Sequence, residues 1–478
     1  MEATAPFAHA PARPRRSPSA ELLALLKRRF EDRCSTSAAV LAQHGSDESA
    51  YAPVPPDAVV FVCSTEEVAF VVRACAAERV PVIGFGVGSS LEGHLLAVEG
   101  GVSIDFSRMN RVLAVRPEDL NATVEAGCTR QALNAALAGS GFFFSVDPGA
   151  DASLGGMVAT AASGTNTVRY GTMRDNVVSL VVVTAAGEVI RTASHARKSS
   201  AGYNLTQLYC GSEGTLGLIT EVTVRLHPHP ETIVAAVVHF PAVRDAVGCV
   251  IEAIQCGVAL ARAEMLDALT IRAINAHSRL ALAERPTLFL EFGGSKAQVE
   301  EQVAQLREIA DGHGGGAFEW ATHPEERSRL WTPRHHAYFA SLQLKAGSRS
   351  LTTDACVPLS ALADCIEQTL DDLREHALLA PVFGHVGDGN FHCLVLVDPA
   401  SVAENEAAEQ FSRRLVARAL RHGGTSTGEH GVGLHKMRYL VDEHGPHAVA
   451  VMRALKQALD PHDILNPGKV VDVHGTDA

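Results

Sequence analysis

Between positions 147 and 176 the chain runs through Gly, Ala, Ser, Thr and Asn with no apolar periodicity. It is flanked on both sides by apolar strand-like segments. A loop of that length inside a compact domain is uncommon and usually serves a ligand. This one feature points to 147–176 as a segment of that kind. Composition agrees, since 46% hydrophobic and 20% charged residues suit packed domains and exclude a mainly disordered chain. The net charge of −13 argues against nucleic acid or an anionic membrane as partner. No run approaches a membrane-spanning length, so no transmembrane segment is expected.

The order of elements defines the domains. Residues 1–18, rich in Ala, Pro and Arg, read as a disordered tail, with a mitochondrial transit peptide as the alternative. A helical segment covers 19–50, opened by Ser19 as N-cap. The stretch 51–230 alternates strands (58–63, 80–83, 101–106, 122–125) with helices at about 64–78 and 131–138. Ser64 to Glu67 reads as a capping box. A hairpin over 177–190 turns at Ala186-Gly187, and a closing strand spans 216–226. From 231 to 422 the rhythm becomes β-α-β-β-α-β, a ferredoxin-like substrate domain. Helices at 324–342, 359–375 and 403–421, a strand at 350–357 and a strand pair in 380–398 extend it. The glycine-rich segment 423–478 is expected to return to the first domain. The ten cysteines are scattered without a CxxC pair, which excludes zinc-ribbon and iron–sulfur spacing and suits buried thiols.

The loop after the 80–83 strand, PVIGFGVGSS, brings glycines and two hydroxyls to where backbone amides can meet a phosphate. A dinucleotide fingerprint fails there because Ser89 stands in place of the third glycine, although Asp105 lies at a fitting distance. A plain glycine turn is the alternative.

A second signal is Gly384-His385-Val386-Gly387-Asp388-Gly389-Asn390-Phe391-His392. Asp-Gly between apolar residues predicts a two-residue hairpin turn. That register pairs His385 directly with His392 on one face, where two imidazoles could share a metal ion or form an ordinary surface pair. Farther on, Gly428-Glu429-His430-Gly431 sets a carboxylate and a histidine on a glycine-flanked turn.

The runs PVIGFGVGSSLEGH, VDPGADASLGGMVATAASGTNTVRYGTMRDNV and KSSAGYNLTQLYCGSEGTLGLIT resemble the three flavin-contacting segments of FAD-binding oxidoreductases related to vanillyl-alcohol oxidase. With the tail motifs the chain is most similar to the branch of cytochrome-linked D-lactate dehydrogenases. The resemblance implies a PCMH-type FAD-binding domain of two α+β subdomains, an FAD-linked oxidase C-terminal domain, and a tail that returns to the flavin. It implies Gly86, Gly88, Ser89 and Ser90 at the pyrophosphate. It further implies Pro148, Gly149, Gly155, Gly156, Thr160, Ser163, Gly164 and Tyr170 along the flavin, and Ile219 beside the adenosine. Some relatives tether the flavin to a histidine in the first loop. Ser89 stands there in this chain, so the FAD is expected to be non-covalent, with His94 the nearest histidine.

By the same resemblance Glu429 joins His385 and His392 in holding one divalent metal, zinc or manganese. His430 is the general base or a residue that orients Glu429, and Arg334 is the substrate carboxylate clamp, with Arg329 its competitor. Tyr338 and Thr352 stand where dicarboxylate-oxidising relatives carry extra polar groups, which favours a small monocarboxylate.

The implied activity is oxidation of a D-2-hydroxy acid, best D-lactate to pyruvate, with electrons passing to cytochrome c or a quinone. A glycolate oxidase flavin subunit and a D-2-hydroxyglutarate dehydrogenase are rival readings. A metal-dependent hydrolase and a non-catalytic flavin subunit are more distant ones. The chain is expected in the cytoplasm or peripheral at the inner membrane, and in mitochondria if the N-terminal run is a transit peptide.

Overall fold

The computed structural model describes Ala10 and residues 13–473. The chain divides into two compact units. One comprises Pro6–Ser163, Gly171–Pro228 and Glu429–Ala478, and the other Gly164–Tyr170 and His229–Gly428. One of the boundaries between them falls at Pro228/His229. The C-terminal segment from Glu429 onward belongs to the first unit.

The first unit carries two main sheets. In one, the apolar strands Ala58–Phe61, Val102–Asp105 and Val82–Phe85 run parallel, with Cys34–Ser35 antiparallel at the edge. Near-continuous Val and Ile runs are what a parallel strand buried on both faces requires. Helix Thr65–Glu78 packs Val68, Val71, Val72 and Cys75 into the same core. Its Ser64 cap accepts from the Glu67 amide, but the Glu67 carboxylate takes the Cys63 amide and Arg33 rather than closing a reciprocal box. The other sheet is antiparallel in the order Val112–Arg116, Asn121–Glu125, Leu218–Arg225, Val177–Val183, Val189–Arg191. Gly187, at φ 73°, turns the hairpin expected there.

Three details differ from the sequence expectations. The irregular stretch contains three short helices, Leu154–Ala159, Thr167–Tyr170 and Met173–Asn176. Segments of four to six residues are too short to show a helical period. The expected disordered tail lies partly outside the described residues, but its described end is tied down. Arg13 and Arg16 pair with Glu99, and Arg15 pairs with Asp57. The glycine-rich C-terminal segment holds a long helical stretch, Leu440–Leu459, interrupted at Gly445 with φ 77°. Gly445-Pro446 hid it.

The second unit is built on one eight-stranded sheet. Strands Thr232–His239, Leu260–Leu266, Thr287–Gly294 and Glu319–Ala321 lie in the antiparallel order fourth, first, third, second. With helices Val243–Gln255 and Lys296–Gly312 this is the ferredoxin-like arrangement. A helix not foreseen, Ala268–Ser278, separates the second and third strands. Asp267 caps it by accepting from the amide and hydroxyl of Thr270. Strands Val382–His385, Asn390–Val397 and Arg349–Thr352 extend the sheet, and the separate strand Ala355–Cys356 also pairs with Asn390–Val397. The expected 350–357 strand is therefore broken at Thr353 and Asp354, whose side chains are buried.

Candidate active site

The His385–His392 hairpin departs from its predicted register by two residues. Phe383, not His385, lies opposite His392. The Asp388 amide donates to the His385 carbonyl at 2.9 Å, and Gly389 follows at φ 79°. The loop is thus four residues long, and His385 and His392 are diagonal neighbours rather than direct partners. Diagonal neighbours remain on one face and within reach of large side chains. Their rings meet edge to face with centroids 5.6 Å apart, and one ring nitrogen of each lies within 4.8 Å of the other.

Buried acceptors fix both rings. His385 Nδ1 lies 2.6 Å from Glu264 Oε1, and His392 Nδ1 lies 3.0 Å from the Thr353 carbonyl. A carbonyl only accepts, so His392 carries its proton on Nδ1 and the lone pair on Nε2. The ionised Glu264 sets the same tautomer at His385. Two imidazoles with Nδ1 held by an oxygen and Nε2 presenting a lone pair form a donor set suited to zinc or manganese.

Glu264 reaches further. Its Oε2 accepts from Arg334 Nε at 2.9 Å and Nη2 at 2.8 Å. Burial would raise its pKa, but His385 and Arg334 bring it below the ordinary carboxylate value. Arg334 also lies over the Phe383 ring. Its Nη1 has no hydrogen-bond partner among the described residues. Arg329 is exposed. Tyr338 is partly exposed and meets the Phe339 ring edge to face, while Thr352 is bonded to Ser350. Asp354 receives Asn390 Nδ2 at 2.7 Å and Thr427 Oγ1 at 2.9 Å, anchoring the turn that leads to Gly428.

In the first unit, the Glu429-His430 turn is held by two buried carboxylates. Glu213 accepts from the amides of Val432 and Gly433 at 2.6 and 2.8 Å. A Cβ at Gly431, where φ is 84°, would stand 2.7 Å from Glu213 Oε1, so only glycine allows this approach. Glu92 takes His430 Nδ1 at 3.3 Å, His435 Nδ1 at 2.9 Å and Lys436 Nζ at 3.2 Å. Burial opposes its ionisation, yet Lys436 and the two histidines hold it well below the usual carboxylate range. The Nδ1–H of His430 thus faces Glu92, and the basic lone pair is on Nε2. Glu429 Oε2 accepts from Ser163 Oγ at 2.9 Å.

The expected flavin residues Gly86, Gly88, Ser89, Ser90, Pro148, Gly149, Gly155, Gly156, Thr160 and Ser163 all belong to this unit, whereas Gly164 and Tyr170 belong to the other. The amides of Val87, Gly88, Ser89 and Ser90 have no acceptor among the described residues. With the hydroxyls of Ser89 and Ser90, these donors suit a pyrophosphate. A Cβ on Gly149 would meet nothing within 4 Å. Gly155 is required by the fold itself, since a Cβ would stand 2.6 Å from the Ala126 Cβ and 3.0 Å from its carbonyl oxygen, whereas a Cβ at Gly86 would meet only the Ser153 side chain, its Oγ at 2.4 Å. Thr160 bonds back to the Gly156 carbonyl, and Ile219 is packed in the sheet core. His94 is buried with Nε2 3.2 Å from Glu213.

Glu92, Glu213, Glu264 and Asp354 were not singled out from the sequence. Each has a signal in retrospect, namely a lone acid inside an apolar strand or a glycine motif. A buried acid needs partners, so such positions mark polar networks.

Comparison with known proteins gives the lineage. A model described as the C-terminal domain of FAD linked oxidases matches residues 229–470, and an FAD binding domain model matches 56–193. The chain is 49% identical to a probable mitochondrial D-lactate dehydrogenase of Danio rerio, over 92% of this chain and 90% of that protein. It is 45% identical to a mitochondrial D-lactate dehydrogenase (cytochrome) of Arabidopsis thaliana, covering 95% of this chain and 80% of that one. Among solved structures, p-cresol methylhydroxylase shares the fold with a TM-score of 0.77 at 16% identity, covering 97% of this chain and 99% of that one.

Proposed function

The chain belongs to the FAD-linked oxidases, in the branch of its D-lactate dehydrogenase relatives, and we propose that it oxidises D-lactate to pyruvate with the help of a divalent metal. It is an FAD-dependent oxidoreductase of D-2-hydroxy acids. The observation that carries the metal-assisted reading is the pair of histidines 385 and 392, each with Nδ1 held by a buried oxygen. Glu429 is the third ligand in this reading, since a carboxylate with two imidazoles completes a set that zinc and manganese both accept. Bound FAD would supply a hydride acceptor for the substrate Cα, and a divalent metal held by these residues would supply Lewis acidity at the hydroxyl.

The chain's own residues do the rest. His430 receives the hydroxyl proton at Nε2, and Glu92 keeps its Nδ1–H turned away and steadies the imidazolium that forms. Ser163 holds one oxygen of Glu429. The open Nη1 edge of Arg334 binds the substrate carboxylate and fixes the Cα hydrogen in one direction, which makes the reaction selective for one enantiomer. The amides and hydroxyls at 87–90 bind the pyrophosphate. The FAD is non-covalent, because Ser89 offers no imidazole and His94 is already paired with Glu213.

Cytochrome c is the proposed acceptor, in mitochondria, as the names of the relatives suggest. The net charge of −13 favours a basic acceptor. No helix among the described residues is long and apolar enough to cross a membrane.

Arg334→Lys tests the clamp. Lysine keeps the charge but cannot bond Glu264 and a carboxylate with one planar fork. The expected loss in kcat/KM for D-lactate is about 1.5–3 kcal/mol, with FAD content unchanged. An unchanged KM in steady-state assays removes Arg334 from the substrate site.

A further inference from the structure

We propose that Glu264 is a positioning residue that couples the metal ligand His385 to the substrate clamp Arg334, a role that rests on the function proposed above. Its side chain is fully buried at the centre of strand Leu260–Leu266, where it stands between Phe289 and His385 of the neighbouring strands. An apolar residue would serve the sheet better at such a place, because an unpaired carboxylate there is strongly disfavoured. The two oxygens are divided between two tasks. Oε1 receives His385 Nδ1–H at 2.6 Å, and Oε2 receives both Nε and Nη2 of Arg334.

This division sets two properties together. The bond to Oε1 places the proton of His385 on Nδ1 and so keeps the metal-binding lone pair on Nε2. The bonds to Oε2 orient the guanidinium so that its Nη1 edge is presented. Only a carboxylate satisfies both donors. In Glu264→Gln the amide has one accepting and one donating end. With the carbonyl toward Arg334, its NH2 group faces His385 and draws the ring into the tautomer with a hydrogen on Nε2, which cannot bind metal. With the carbonyl toward His385, the NH2 group opposes the guanidinium and displaces Arg334. Either orientation costs one function.

The test uses full-length FAD-loaded protein, wild type beside Glu264→Gln, with zinc and manganese titrated calorimetrically and KM for D-lactate measured. FAD content and Tm report folding. The expected result is metal affinity lowered about 10–100-fold, the range for loss of a residue that orients a ligand, or a raised KM, with FAD retained. Wild-type metal affinity together with wild-type KM in the variant overturns the role of Glu264. If wild type binds neither metal, the metal-assisted reading falls and the role of Glu264 with it. If Glu264→Gln does not fold, Arg334→Gln substitutes. Arg334 is not a ligand, yet its loss should change metal affinity roughly threefold or more through the shared carboxylate. Unchanged affinity there overturns the coupling.

Discussion

His385→Ala and His392→Ala should each lose the metal and turnover together while retaining FAD, whereas His430→Ala should keep both metal and FAD and lose turnover about 10²–10⁴-fold. The difference follows from what each ring does. His385 and His392 contribute two of three proposed ligands, and two survivors hold a divalent ion poorly. The proposed pyrophosphate donors lie in a different compact unit from these histidines, so flavin content is insulated from the change. His430 is oriented by Glu92 and is proposed as base rather than ligand, so its removal should leave the ligand set in place. Its pH profile should also lose the acidic limb, where a protonated imidazole blocks proton abstraction in wild type. Metal content, flavin absorbance and kcat of the three variants decide the matter. A metal-free His430→Ala would make His430 a ligand, and the base would have to lie elsewhere.

Glu92→Gln should be the most destabilising single change in the first unit, by about 3–5 kcal/mol at neutral pH, as expected when one partner is removed from a buried charge cluster. Glu92 faces His430, His435 and Lys436, and glutamine leaves all three facing a neutral amide. The pKa of Glu92 is depressed in the folded state, so its stabilisation is complete above the unfolded value of about 4.3 and is lost as pH falls below it. The gap in stability between wild type and variant should therefore be widest near neutrality and narrow with acidification. Denaturant titrations at several pH values measure it. A gap independent of pH would show that the cations, not Glu92, dominate the cluster.

Much of this architecture is legible in the sequence because its elements carry strong local signals. The parallel strands announce themselves as Val and Ile runs, and the ferredoxin-like order follows from alternating strand and helix periods. Turn chemistry is a weaker guide to register. Asp388-Gly389 reads as a two-residue turn, but the Asp388 amide bonds back to His385 and lengthens the loop. The histidines still meet, since a shift of two residues preserves the face in a period-two strand. Helix Ala268–Ser278 and the interrupted Leu440–Leu459 escape notice because one follows a strand without a break and the other is divided by Gly445-Pro446.

The candidate site is legible in the residues proposed to meet metal and substrate, and not in the acids that hold them. Motifs reveal His385, His392, Glu429 and His430, which stand among glycines. Glu264, Glu92, Glu213 and Asp354 carry at most a weak local signal, a lone acid in an apolar run or beside glycine, because their roles depend on partners far away in the chain. Glu264 meets His385 from 121 positions away, and Glu92 meets His430 from 338. Only the fold supplies such pairings.

Anaerobic mixing of the yellow purified protein with D-lactate, L-lactate, glycolate and D-2-hydroxyglutarate tests the central claim most directly. The flavin absorbance should bleach fully and fastest with D-lactate, stay unchanged with L-lactate, and fail to bleach with D-lactate in His430→Ala over the same interval. An oxidised flavin that persists with D-lactate, or one that is reduced equally by both enantiomers, would contradict the account.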